Sequence, residues 1–276
     1  MDHRALRIGF IGGGNMAQAV VAGLVRSGHA PGLIQVAEPG TAPRERIRAI
    51  DPAIGLTTDN RAVAAASEVL VLAVKPQVLP IVLAELCSVG RQPDQLVLSV
   101  AAGATIAAIG AGLGGAPAIV RVMPNQPALI GAGMSVLVTD AATPAAVRAR
   151  AEYVARSTGE ALWLDDESLM DAVTAVSGSG PAYFYLLIEA MESTARELGL
   201  PADAARTMVR QTALGAAQAA ALPDADAAAL RASVTSPGGT TAAALAVMDA
   251  AGLRDTLRRA IVAARDRGAE LGRGSR

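Results

Sequence analysis

"IGFIGGGNMAQAV", residues 8–20, decides how the rest of the chain is read. "LRIGFIGGG" (6–14) reads as a short buried strand ending in glycines, and an Ala- and Val-rich helical pattern follows at once. The spacing is G-x-G-x-x-A at Gly12, Gly14 and Ala17. A strand that turns through glycines into a helix is the context in which that spacing is a dinucleotide fingerprint. Gly12 permits the tight turn, Gly14 lets a backbone approach a pyrophosphate, and Ala17 lets helix and strand pack closely. Free N–H groups at the helix start then face the phosphates.

Working outward, apolar runs and helical patterns alternate. Runs at 33–39, 69–74, 95–103, 118–125 and 134–140 read as strands. Segments 16–28, 43–50, 60–67, 78–86 and 105–113 read as helices, and nothing is assigned between 141 and 165. The strands are continuous Val/Ile/Leu stretches, the pattern of a parallel sheet covered on both faces. This predicts an α/β fold with an N-terminal doubly wound parallel sheet of Rossmann type over 1–165. From 166 to 276 only helical patterns appear, at 168–197, 203–221, 225–233, 240–250 and 253–271. The second domain is therefore expected to be all-α, with apolar surface buried against another chain.

Composition narrows the function. The 276 residues are 52% hydrophobic, 18% charged and 2% aromatic, with a net charge of −1. Nucleic acid, which needs a basic footprint and stacking side chains, is not expected as a partner. The single cysteine, Cys87, removes disulfide frameworks and multi-cysteine metal sites and suits a reducing cytoplasm. No metal is expected, because no His/Cys/carboxylate cluster has ligand spacing. The apolar start passes straight into glycines, unlike a signal peptide, and "VLVLAVKPQVLPIVLAEL" (69–86) is interrupted by Lys75, Pro76 and Pro80, so no membrane span is expected.

A carboxylate about 20 residues beyond the glycines binds the adenosine ribose in such folds. Glu38 is so placed, and it would repel a 2′-phosphate. Arg44 and Arg46 follow; they read either as a phosphate-neutralising pair or as a solvated helix face. "AVKPQ" (73–77), "SVAAGATI" (99–106) and "RVMPNQPA" (121–128) are small or kinked loops after strands, where ligands bind in open α/β sheets. "SVTSPGGTTAAALAVM" (233–248) places Ser236, Gly238, Gly239 and Thr240 before a helix. That is either an anion site for a small carboxylate or an ordinary Ser/Thr cap. Thr241 would add a hydroxyl able to accept from a ring N–H. "AVSGSGPAYFYLL" (175–187) reads as a helix broken by Gly178, Gly180 and Pro181, followed by half of the chain's aromatic residues. A helix so interrupted can pass close to a ligand; a simple proline kink is the alternative. Neither histidine, His3 or His29, stands where an acid is needed.

"IGFIGGGNMA", "LAVKPQ", "SVAAG", "RVMPNQPALIGAG", "DAVTAVSGSGPAYFYLLIEAM" and "VTSPGGTT" together make the chain resemble the pyrroline-5-carboxylate reductases over nearly its whole length. The resemblance implies a Rossmann domain and a helical dimerisation domain whose helices interlock, often in larger rings. It implies NADPH- or NADH-dependent reduction of a cyclic imine, L-Δ1-pyrroline-5-carboxylate, to L-proline. It places Gly12, Gly14, Asn15 and Met16 at the pyrophosphate and Asn60 on the adenosine side. Ala73, Lys75, Pro76, Ala102 and Gly103 lie along the cofactor, and Met123, Pro124 and Asn125 near the nicotinamide. Around the imine acid it places Glu167, Ser177, Gly178, Ser179, Gly180, Ser236, Thr240 and Thr241, with Ser236 and Thr241 nearest the reaction. Two alternatives stand beside it. A β-hydroxyacid dehydrogenase of similar layout would use a lysine entering the second domain, and no lysine follows Lys75. A nucleotide-sensing homologue would keep the fold without turnover.

Overall fold

The computed structural model describes residues 3–90, 94–115 and 118–273. The glycine stretch joins β1 (Ile8–Ile11) to α1 (Asn15–Arg26), which stops at Gly28 with φ +84°. There follow β2 (Ile34–Ala37), α2 (Thr41–Arg48), β3 (Gly55–Thr57), α3 (Asn60–Ala66), β4 (Val69–Leu72), α4 (Leu79–Leu86), β5 (Leu96–Ser99), α5 (Ile106–Gly112), β6 (Ala118–Met123), β7 (Gly133–Thr139), α6 (Ala145–Arg156) and β8 (Gly159–Trp163). The sheet order is β3-β2-β1-β4-β5-β6-β7-β8. Every residue of β1, β4 and β5 is buried, as continuous apolar runs require.

From β3 to β6 all neighbours are parallel, and the register aligns Thr57, Ala37, Ile11, Leu72, Ser99 and Arg121 in one row. The loops after these strands therefore open at a single edge. The chain runs outward from β1 to β2 and β3, then returns to β4 on the other side. The β1/β4 boundary is thus the switch point, where ligands bind in open α/β sheets. Val20, Val21 and Leu24 of α1, Ile47 of α2 and Val147 and Val154 of α6 fill one face; Val63 of α3, Leu79, Val82 and Leu86 of α4 and Ile109 of α5 fill the other.

Besides the short edge strand β3, half-buried throughout and marked by no apolar run, two features differ from the sequence-based expectation. First, β7 runs antiparallel to β6. Their connection, 124–132, is too short for a crossover, which takes a dozen or more residues. Second, α6 and β8 occupy the unassigned stretch. β8 is an edge strand of alternating half-buried and exposed residues, so it lacks the apolar run that marks the inner strands.

After β8 come α7 (Met170–Val173), a π-helical turn (Thr174–Gly178), α8 (Gly180–Glu197), α9 (Ala202–Ala220), α10 (Ala227–Ser233), α11 (Thr240–Ala250) and α12 (Leu253–Arg273). The chain divides into two compact units. One holds the described residues up to Ser179 together with those from Ala264 onward, and the other holds Gly180–Ala263. By packing, the first unit runs past the expected boundary at 165, because Met170 and Ala175 are buried within it. The end of α12 also returns to it. A Cβ on Gly272 would lie 3.5 Å from the Gly103 carbonyl oxygen, and one on Gly268 would lie 3.5 Å from an Asp171 carboxylate oxygen. In the second unit α8 and α9 pack as a pair, tied by Arg210 Nε to Glu192 Oε1 at 2.9 Å. Among residues 180–263 only Gly180, Ala205 and Val209 are buried, while Phe184 is 67% and Val247 70% exposed. Among the described residues no helix is long and apolar enough to cross a membrane.

Candidate functional site

The glycine loop is fixed from three sides. The Gly12 N–H donates to the Ala37 carbonyl at 2.8 Å, and its φ of +95° is open chiefly to glycine. A Cβ there would also come 2.8 Å from the Ala73 carbonyl oxygen. The Gly13 N–H donates to Glu38 Oε2 at 2.7 Å. Gln18, one turn into α1, donates from Nε2 to the Gly13 carbonyl at 2.7 Å. Gln18 went unremarked in the sequence; its only signal is a polar side chain between buried Ala17 and Ala19.

Gly14, by contrast, is exposed, and a Cβ on it would meet no heavy atom within 4 Å. It is the N-cap of α1 and gives that helix no side-chain cap. Helices α3 and α5 start differently: Asp59 accepts from Arg61 and Ala62, and Thr105 accepts from Ala108. A helix start with free amides, beside a residue without a side chain, fits a pyrophosphate. Asn15 and Met16 open the helix at that point.

Glu38 follows β2. Its carboxylate accepts from the Gly13 and Gly40 N–H groups, both at 2.7 Å, so it braces the loop. Arg44 Nη1 donates to the Glu38 carbonyl at 3.3 Å, and Arg46 Nε to Gln18 Oε1 at 3.2 Å. Both arginines therefore reach toward the loop. Asn60 opens α3 and donates from Nδ2 to Glu85 Oε2 at 2.8 Å.

Across the switch point, the Ala73 N–H donates to the Ile11 carbonyl at 2.9 Å. Lys75 is exposed, and its carbonyl accepts from Val78 at 2.9 Å as Pro76 leads toward α4. Ala102 is exposed and Gly103 has φ +78°. A cavity of about 200 Å³ lies beside Pro76, Ala102 and Gly103, with Leu83 and Ile109 in its wall. Met123 ends β6, and Pro124 and Asn125 leave it at the same edge. The structure thus collects the residues expected along a dinucleotide on one edge of the sheet.

The residues expected around an imine acid are distributed over both units. Glu167 belongs to the first, where its Oε1 accepts from the Ile106 N–H at 2.9 Å and from Arg121 Nη1 at 3.2 Å. It thereby satisfies an amide at the start of α5 and pairs a guanidinium that is 7% exposed. Arg121 went unremarked in the sequence, where a cation inside an apolar strand was its signal. Ser177, Gly178 and Ser179 are in the first unit, and Gly180 begins the second. Ser236, Gly238, Gly239, Thr240 and Thr241 also belong to the second. There Gly239 is the N-cap of α11, with no side-chain cap, and its N–H closes a turn to the Ser236 carbonyl at 3.0 Å. The Ser/Thr cap that stood as the plain reading of this segment is not made. His29 is buried, its Nδ1 3.0 Å from the Tyr153 hydroxyl.

Comparison with known proteins agrees with this layout. Residues 7–103 match the family model described as NADP oxidoreductase coenzyme F420-dependent, and residues 167–271 match that described as pyrroline-5-carboxylate reductase dimerisation. A pyrroline-5-carboxylate reductase of Pseudomonas aeruginosa is 45% identical over 78% of this chain and 78% of its own. The solved pyrroline-5-carboxylate reductase of Coxiella burnetii is 37% identical, with a TM-score of 0.90 over 96% of this chain and 98% of the other. A pyrroline carboxylate reductase of Plasmodium falciparum, solved with NADP bound, is 26% identical, with a TM-score of 0.84 over 98% and 99% of the two chains. With a fingerprint edge, a helical dimerisation region and this identity along most of its length, the chain belongs to the pyrroline-5-carboxylate reductase family.

Proposed function

We propose that the chain reduces L-Δ1-pyrroline-5-carboxylate to L-proline with NADPH or NADH, the last step of proline biosynthesis. The observation that carries this is the uncapped, glycine-opened start of α1 at the β1/β4 switch point. When bound there, the reduced nicotinamide supplies a hydride. Gly12, Gly14, Asn15 and Met16 hold the pyrophosphate, and Glu38 and Asn60 the adenosine side. Ala73, Lys75, Pro76, Ala102, Gly103, Met123, Pro124 and Asn125 line the path to the nicotinamide.

The chemistry asks little of the protein beyond placement. The imine nitrogen enters already protonated, and the C=N carbon is electron-poor. As the hydride bonds to that carbon, the C=N π pair moves onto nitrogen and leaves a secondary amine. No side chain has to deliver a proton in that step, which suits a site without a histidine. Holding the reacting atoms about 3–3.5 Å apart is what accelerates it. The open amides at Thr240 and Thr241 suit the substrate carboxylate, as those opening α1 suit a phosphate. Thr241 accepts from the ring N–H. Ser236, Gly238, Glu167 and the segment from Ser177 to Gly180 shape the remainder.

Finer points follow from the same residues. The Glu38 carboxylate is held at the adenosine end by two amides and repels a 2′-phosphate, so NADH should serve at least as well as NADPH. Glu38→Ser should shift the ratio of kcat/KM toward NADPH; a wild type that prefers NADPH tenfold would transfer the role to Arg44 and Arg46. The helical unit forms the dimer, and dimers stack into larger rings. The exposed thiol of Cys87 suits the cytoplasm. Loss of nicotinamide absorbance on mixing the purified chain with pyrroline-5-carboxylate and either cofactor tests the whole reading. Binding of the cofactor without turnover would make the chain a nucleotide sensor instead.

A further inference from the structure

The helix that the sequence breaks at "SGSGP" widens into a π turn before it straightens. The Ser179 N–H donates to the carbonyl of Thr174, five residues back, at 2.8 Å. A turn of five in place of four shifts the neighbouring carbonyls off their usual donors, and they need partners elsewhere. Ser177 finds one outside the helix. Asn125 Nδ2 donates to its carbonyl at 3.2 Å, with Ser177 Oγ 3.4 Å away. The other end of the same amide, Oδ1, accepts from the Met134 N–H at 2.9 Å.

Chemistry sets this orientation. A backbone N–H only donates and a carbonyl only accepts, so the oxygen of Asn125 faces Met134 and its nitrogen faces Ser177. One side chain thus ties three places together: the loop leaving β6, the start of β7 and the π turn. Gly178 completes the seat. A Cβ there would fall 2.6 Å from Met123 Cε, so the turn rests directly on the last residue of β6.

We infer that Asn125 is a positioning residue that clamps the π turn to the C-terminal edge of the sheet, spending its amide on the protein and not on the cofactor. The inference rests on the reading of that edge as the nicotinamide and imine site. Ser177 and Gly178 belong to the turn and Ser179 closes it, so a released clamp would let polar groups and backbone drift beside the reacting atoms. A misplacement of about 1 Å costs on the order of a hundredfold in rate.

Asn125→Asp tests this. It keeps the size and the acceptor for Met134 but sets an oxygen against the Ser177 carbonyl. The expected result is a cofactor Kd within about twofold of wild type and a kcat lower by roughly ten- to a hundredfold. The primary deuterium isotope effect from 4-deuterated cofactor should rise on kcat, and the Ser179 amide should exchange faster. Asn125→Ala, which removes the donor to Ser177 without setting an oxygen against its carbonyl, should give the same pattern and serves if the first variant does not fold. A cofactor Kd raised tenfold with kcat unchanged would overturn the clamp in favour of direct cofactor contact. Wild-type kcat in both variants would overturn it as well. If the wild type does not turn over pyrroline-5-carboxylate, the functional reading fails by itself. Exchange at Ser179 in Asn125→Asp then still decides the clamp, slow exchange refuting it.

Discussion

At the scale of single residues, the two fingerprint glycines are needed for different reasons. Gly14 has open space where a Cβ would go, whereas Gly12 has the Ala73 carbonyl and a φ of +95°. Gly14→Val should therefore leave the fold intact and raise the KM for cofactor tenfold or more, because its side chain enters the pyrophosphate's place. Gly12→Ala should instead lose about 1–3 kcal/mol of stability, read by denaturant titration, since both strain and a close carbonyl oppose it. Equal effects of the two substitutions on cofactor KM, with no stability difference, would contradict this division. The identity of these glycines was legible in the sequence because spacing alone states it. The bonds from Glu38 to Gly13 and Gly40 were not, since the direction of a side chain across a loop leaves no periodic trace.

Among elements, α11 carries the proposed carboxylate site at its uncapped start. Its cap is a glycine and its first amides are free of side-chain partners, so Thr240 and Thr241 are not spent on capping. Thr241→Ala should keep the backbone grip on the carboxylate and lose one contact to the charged ring nitrogen. Such a hydrogen bond is worth about 1.5–3 kcal/mol, or roughly ten- to a hundredfold in kcat/KM. Gly239→Val should raise the substrate KM further while cofactor affinity stays put. Cofactor affinity lost in both variants, with substrate KM intact, would move the segment onto the dinucleotide. The inner strands and nearly every helix were legible, because buried runs and the 3.6-residue period are strong signals. The edge strand β8 was not, since it alternates weakly. The π turn was visible only as a misplaced pair of glycines and a proline, because its extra residue appears in hydrogen bonds and not in composition.

For the whole molecule, the helical unit determines the assembly. Eighty-odd residues with only Gly180, Ala205 and Val209 buried leave Phe184, Leu186, Leu198 and Val247 in solvent. Apolar surface of that extent marks an interface, and the family match over 167–271 is to a dimerisation region. Sedimentation at micromolar concentration should find a dimer or larger species, and a folded, active monomer would refute it. The two-part organisation was legible from where the strands cease. The place where packing divides the chain was not, because the end of α12 belongs to the unit that begins the chain. That shared helix orders the events of synthesis. The ribosome completes β1 to β8 early, yet the segment from Ala264 that seats on Gly103 and Asp171 emerges only after the whole helical unit has been made. Domains usually fold as units from the N-terminus while the chain grows. The flank beside Gly103 is thus left uncovered until α12 has been made.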